Sequence, residues 1–218
     1  MKRLTLSFAL LALTACGASQ ASETPTAPVA QAEMAPETTP ADTATANAVA
    51  DANWTLTDLN GQEVSLASYQ GKTVVLEWFS PTCPFIVHAH GEGPLKDMAS
   101  KVTASGDVVW LAINSNSKGS AAELDTNKQA AADWNISHPV LMDSDGAVGR
   151  MYGAKTTPHM FVIDPAGEVV YKGALDNAPR GEAEGEYVNY VEAALGNIAA
   201  GTPVALAETK SYGCGVKY

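Results

Sequence analysis

The sequence predicts an α/β fold, a central mixed β-sheet flanked by helices and extended at its N-terminal side by a β-hairpin. Three observations lead there. From residue 54 onward, short β-favouring apolar runs alternate with helix-compatible segments, the order expected of a layered α/β sandwich. Two pairs of runs are joined by turn signals, Asn60-Gly61 and Asp164-Pro165-Ala166-Gly167, which mark hairpins. The strongest apolar run, residues 74–79, breaks at Pro81 and is followed by Cys83 and Pro84. Proline suits the first turn of a helix, where its missing N–H is not needed. The run therefore reads as a buried strand, a tight turn and a helix with a cysteine at its start.

The elements follow in order. Residues 54–57 alternate as a strand, turn at Asn60-Gly61 and return over residues 63–66. Residues 68–72 form a short helical turn closed by Gly71, and residues 74–79 the central strand. Residues 84–103 are helix-compatible, with interruptions expected at Gly91, Gly93 and Pro94. Residues 108–114 are the next strand. Ser120 and Glu123 form a capping-box pattern that opens a helix running to about Trp134. Residues 139–142 are a short strand, Asp145-Gly146 a turn and residues 147–152 a short helix. Residues 160–163 and 169–172 form the second hairpin. Residues 186–198 read as a closing amphipathic helix, with Tyr187, Tyr190, Val191, Ala194, Leu195 and Ile198 on one face. A tail over residues 203–218 contains Cys214. There is no internal repeat, and Gly91-x-Gly93 lacks the spacing of a dinucleotide loop, so no cofactor is expected.

The 218 residues suffice for one sizeable domain with accessory segments. A net charge of −11 argues against the basic surface that phosphate binding needs, so nucleic acid is not an expected partner. It also disfavours direct attraction to anionic lipid. Residues 1–15 read as a signal segment: Met1-Lys2-Arg3 is basic, residues 4–13 are apolar but too short to span a bilayer, and Leu13-Thr14-Ala15 precedes Cys16. That arrangement resembles the bacterial lipoprotein signal, which implies lipidation of Cys16. Gly17 rather than Asp follows the cysteine, so the resemblance implies the outer membrane, facing the periplasm, in a Gram-negative source. Residues 16–52 are rich in Ala, Thr, Pro, Glu and Ser and cannot bury enough surface to offset ordering; they read as a disordered tether. Such a tether reaches roughly 35 Å. The membrane is thus a partner only through the lipid anchor, and residues 53–218 are the folded domain.

With Cys16 lipidated, two of the three cysteines remain, Cys83 and Cys214. A cysteine at a helix N-terminus meets unpaired N–H groups and the positive end of the helix dipole, which favour the reactive thiolate. A buried cysteine can also be an inert small hydrophobe. In an oxidising compartment the pair can be a structural bridge or a redox couple.

Four motifs resemble the peroxiredoxin-like, redoxin-domain (AhpC/TSA-type) proteins of the thioredoxin-like superfamily. They are Pro81-Thr82-Cys83-Pro84-Phe85, Val109-Trp110-Leu111-Ala112-Ile113-Asn114, Tyr152-Gly153-Ala154-Lys155-Thr156-Thr157-Pro158-His159-Met160 and Tyr212-Gly213-Cys214-Gly215-Val216-Lys217-Tyr218. The resemblance implies a thioredoxin-like fold. It implies Cys83 as nucleophile, Pro158 as the cis-proline beside it, and Thr157 turned toward an incoming disulfide. It places Glu77 as a buried acid able to carry a proton, and Cys214 as the resolving thiol, brought up by a tail made flexible by Gly213 and Gly215. The implied substrate is a disulfide or a peroxide, and the implied partner an external thiol reductant. The sequence departs from the pattern in three places. Ile86 replaces the second cysteine of a Cys-x-x-Cys motif. Leu76 stands where peroxiredoxins carry proline, although Ser80 matches their hydroxyl residue. Neither Arg150 nor Arg180 can be assigned as the activating arginine. The competing reading is non-catalytic: a thioredoxin fold stapled by Cys83 and Cys214, or a Cu(I) carrier using Cys83 with a histidine such as His159. His88 and His90 point to different sides of a helix and read as ordinary polar residues.

Overall fold

The computed structural model describes residues 53–116 and 119–218. The signal segment, Cys16 and the tether lie outside the described residues. The elements are β1 (Thr55–Asp58), β2 (Glu63–Ser65), β3 (Thr73–Trp78), α1 (Pro84–Gly91), α2 (Met98–Thr103), β4 (Val108–Asn114), α3 (Ala121–Asp133), β5 (Val140–Met142), α4 (Ala147–Tyr152), β6 (Thr156–Thr157), β7 (Met160–Ile163), β8 (Val169–Gly173), α5 (Tyr190–Ala199) and β9 (Cys214–Gly215).

Seven strands form one sheet in the order β2-β1-β5-β4-β3-β7-β8. β3, β4 and β5 are parallel, which requires the helical crossovers through α1–α2 and α3. β7 lies antiparallel on β3 and carries β8 as a hairpin. The N-terminal hairpin is no separate annex, because β1 pairs antiparallel with β5 and lengthens the same sheet. This is a thioredoxin-like arrangement. β3 is buried along its whole length, so its alternating side chains feed two cores. Val74, Leu76 and Trp78 join Leu111, Ile113, Tyr152 and Phe161 on one face. Val75 joins Trp110, Met98, Val162, Tyr171 and Val191 on the other.

The expected helix over residues 84–103 is cut where its glycines and proline stand. α1 stops at Gly91, a 3₁₀ turn occupies Pro94–Lys96, and α2 follows. The capping box at Ser120 forms: its hydroxyl accepts the Glu123 N–H. The closing helix differs from its expected bounds. It begins at Tyr190, because the Asn189 carbonyl oxygen of the side chain accepts the Glu192 N–H at 3.0 Å and ends the preceding loop. Tyr187 therefore leaves the helical face and donates its hydroxyl to Asp176 Oδ2 at 3.2 Å.

Buried Asp143 locks α4 to the ends of β3 and β4. Its carboxylate accepts from the Ser115 hydroxyl (2.6 Å), the Gly149 N–H (2.8 Å) and the Val148 N–H (3.2 Å), and Ser115 in turn accepts the Trp78 indole N–H at 3.1 Å. Asp143→Ala strands several buried donors and is expected to lower stability by about 3 kcal/mol. A urea titration followed by tryptophan fluorescence reads this directly; an unchanged midpoint would refute the locking role.

Candidate active site

Cys83 stands where β3 has ended and α1 begins. Its backbone is extended (φ −80°, ψ 122°), Pro84 is the first helical residue, and the Val87 N–H closes the first turn on the Cys83 carbonyl at 2.9 Å. The side chain is 2 % exposed and packs with Phe79, Ile86 and Ala112, with Phe85 and Cys214 alongside. The Thr157–Pro158 bond is cis. The Cys83 thiol donates to the Thr157 carbonyl at 3.0 Å.

Cys214 arrives by strand pairing. β9 lies antiparallel on β6, with Cys214 opposite Thr157 and Gly215 opposite Thr156. This sets the two sulfurs within hydrogen-bonding reach. Gly213, expected to loosen the tail, does a different job. Gly213 lies at φ +122°, and a Cβ there would overlap the Thr157 carbonyl, so this position answers to close approach. The tail is tied on both sides of Cys214. Upstream, the Tyr212 hydroxyl donates to Asp176 Oδ1 at 2.7 Å. Downstream, the Val216 N–H donates to the Lys155 carbonyl at 3.0 Å and the Tyr218 hydroxyl to the Ala154 carbonyl at 2.8 Å.

The two thiols are unequal. Burial alone would push Cys83 up. Hydrogen bonds from Cys214, from the Thr157 side chain and from the Ile86 backbone outweigh it and hold the thiol below its ordinary value. The bond to the Thr157 carbonyl acts the other way, since it favours the S–H form. Cys214 is pushed up to about 11, first by its hydrogen bond to Cys83, then by burial and by the charge on Cys83. Cys83 is the thiol that ionises; Cys214 keeps its proton.

Glu77 is fully buried, and both its oxygens are engaged. Oε1 meets His90 Nε2 at 2.7 Å and Oε2 accepts the Trp110 indole N–H at 2.9 Å. Burial would raise its carboxyl. The charge and hydrogen bond of His90, the charge of His138 and the Trp110 N–H together bring it below the usual range. His90 was not assigned from the sequence. It lies two helical turns beyond Cys83 on α1, buried, and stacks on Trp134 at 5.4 Å. That spacing from the cysteine was the available signal. Asp176 was also missed, and no local pattern marks it; Tyr212 stood in the tail motif with no role assigned to it. His138 approaches the Trp110 ring at 6.0 Å and is pushed down to about 4, chiefly by burial; its Nε2 is buried without a hydrogen-bond partner among the described residues.

The histidines considered for copper are otherwise occupied. His90 serves Glu77, and His159 Nδ1 accepts the Lys155 N–H at 3.2 Å with its ring against Phe161. Among the described residues, no three His, Cys, Asp or Glu side chains are grouped to hold a metal ion. Arg180 lies over the Phe85 ring at 5.5 Å, and Arg150 over the Tyr218 ring at 4.8 Å.

Cys83 at the start of α1, Thr157 on β6 and Cys214 on β9 thus meet at one end of the sheet. The chain belongs to the redoxin family, whose profile matches residues 31–190 and so ends before Cys214. Among curated proteins it is 26% identical over 119 residues to the thiol-disulfide oxidoreductase ResA of Bacillus thuringiensis, a match covering 54% of this chain and 64% of that one. It is 27% identical to ResA of Bacillus subtilis over 118 residues, covering 54% and 62%. The chain thus spans less than two thirds of the length of these oxidoreductases. Among solved structures it is similar to a hypothetical protein of Sinorhizobium meliloti (TM-score 0.65, 26% identity, 77% of this chain and 91% of that one). It is likewise similar to an uncharacterized conserved protein of Geobacillus kaustophilus (TM-score 0.67, 28% identity, 77% and 89%).

Two outcomes follow from these shifts. Iodoacetamide labelling read by mass spectrometry should give Cys83 a pH midpoint below the ordinary thiol value of about 8.5 and Cys214 a midpoint well above it. Cys83→Ala removes the hydrogen bond and the charge, so the Cys214 midpoint should fall; equal midpoints in the parent chain would contradict the assignment. The second outcome concerns stability. His138 and His159 are each pushed down to about 4, with burial the main cause in both. The unfolded chain binds these protons near pH 6.5, so stability is complete above about 6.5 and falls as pH drops toward about 4. Glu77, depressed in the fold, adds a loss of the same sign at lower pH. Urea midpoints between pH about 7 and about 4.5 should fall, and His159→Asn should flatten the slope; an unchanged slope would remove His159 from this account.

Proposed function

We propose that this protein is a thiol-disulfide oxidoreductase in which Cys83 and Cys214 are the redox couple. The observation that carries the reading is the register of β6 against β9, which seats Cys214 opposite Thr157 and against Cys83. The Cys83 thiolate attacks a disulfide sulfur, or the oxygen of a peroxide, and becomes a mixed disulfide or a sulfenic acid. Cys214 then loses its proton, attacks the Cys83 sulfur and expels the second thiol or water. Two electrons have left the pair and one Cys83–Cys214 disulfide remains. An external thiol reductant restores the dithiol.

The other residues act around that couple. Pro158 and Thr157 shape the wall on which the Cys83 sulfur rests. Glu77 serves as a buried fixed charge that holds α1 through His90, and through α1 holds Cys83. The relatives named as oxidoreductases support the chemistry. The lipoprotein-like start of the chain supports a place in the cell envelope, anchored through Cys16 and facing the periplasm.

Mixing the reduced chain with an oxidant and following intact mass should reveal loss of two hydrogens and a Cys83–Cys214 linkage on peptide mapping. Cys83→Ser should abolish the reaction. Cys214→Ser should stop at the mixed disulfide or sulfenic acid. A catalytic couple should equilibrate with dithiols at a potential above about −300 mV, whereas a permanent staple would lie below it. A bond that forms but resists reduction by thioredoxin-type dithiols would favour the staple.

A further inference from the structure

This inference rests on the redox reading above and concerns the class of disulfide that Cys83 meets. An exposed strand edge beside a reactive group is a template on which an extended peptide adds by backbone hydrogen bonding. Here that edge is β6, and it is already taken. β9 pairs with it through Thr156–Gly215 and Thr157–Cys214, so the chain's own cysteine occupies the place where a cysteine in a bound peptide would lie against Cys83. Gly213 lets this segment approach the Thr157 carbonyl more closely than any side chain would allow.

The segment is held down rather than resting there. Asp176, 2 % exposed, takes the Tyr212 hydroxyl on Oδ1, and the Tyr212 ring lies 5.8 Å from Phe85 at the start of α1. On the far side, Tyr218 ties to the Ala154 carbonyl. These two latches bracket Cys214, and with them closed Cys83 is almost wholly covered.

We propose that the C-terminal segment is a built-in occupant of the peptide groove, and that it selects low-molecular-weight disulfides over extended polypeptide disulfides. In the step itself, the Cys83 thiolate bonds to one sulfur of the small disulfide, and the other leaves as a thiolate that takes up a proton. Cys214 gives up its proton and displaces the second small thiol, so the disulfide departs as two thiols and the protein holds the new S–S bond. A small disulfide needs only a local opening over the covered Cys83 sulfur, with the β6–β9 pairing kept. A polypeptide disulfide must first displace β9. Tyr212 and Tyr218 are then specificity-determining residues that never touch the reacting sulfurs.

The test compares two neutral probes on the reduced full chain, hydroxyethyl disulfide and a short neutral peptide dimerised through a central cysteine. Loss of the Cys83 thiol is followed by mass spectrometry. The parent chain should react faster with hydroxyethyl disulfide. Tyr212→Phe and Tyr218→Phe each remove one latch bond, so each should shift the ratio toward the peptide by about fivefold, the weight of one net hydrogen bond. Equal rates for the two probes in the parent chain, or an unchanged ratio in both variants while both still oxidise, would overturn the proposal. Failure of the parent chain to react with either probe would instead overturn the redox reading beneath it.

Discussion

The site depends on the pairing of Thr156–Thr157 with Cys214–Gly215. Two residue pairs of antiparallel strand are weak on their own, and an isolated hairpin of that size would not persist in water. Here they are held because the flanks are held, by Tyr212 on Asp176 and by Val216 and Tyr218 on the loop before β6. The arrangement solves the problem that Ile86 creates. A Cys-x-x-Cys motif brings its second thiol within one helical turn. With Ile86 there, the partner must come from the far end of the chain, and closing so long a loop has an entropy cost of several kcal/mol that grows only slowly with length. Folding meets that cost once, when the tail docks on β6.

The same pairing makes the two thiols unequal. The two lie side by side, yet one is pushed down and the other up, because a hydrogen bond between two sulfurs stabilises the anion on one and the S–H on the other. Cys83 has the further advantage of backbone support from Ile86 at the start of α1, a donor that Cys214 on an extended strand does not have. The inequality of the two thiols is thus a consequence of position: one stands at the start of a helix and the other on a strand.

Local signals explain why most of the fold was legible in the sequence. The apolar run ending at Pro81, the capping box at Ser120 and the turn at Asp164–Gly167 each carry their geometry within a few residues. The two cysteines and Pro158 were legible as types. What eluded the sequence was long-range. Asp176 reads as one acid among many until Tyr212 and Tyr187 converge on it. The start of α5 was misplaced because tyrosines at residues 187 and 190 satisfy helical spacing, while the Asn189 cap that decides the boundary competes only weakly in a pattern of apolar residues. Gly213 was read as a source of freedom, and it is a position of enforced closeness. A glycine carries the same letter in both roles, and only the neighbour across the gap, the Thr157 carbonyl, distinguishes them.

Glu77 shows how the partners of a buried acid decide its direction. A free buried carboxyl would be pushed up toward neutrality and could take and return a proton. This one has both oxygens engaged, and the opposite direction prevails. A buried carboxylate so held is costly to disturb, since removing its partner leaves an uncompensated charge worth about 3–5 kcal/mol. In the function proposed above, the Cys214 proton is the one that moves when the disulfide closes. Glu77 and His90 contribute rigidity: they pin α1 to β3 and β4 from beneath, and a pinned α1 keeps Cys83 at the one point where the tail, fixed by its own latches, can reach it.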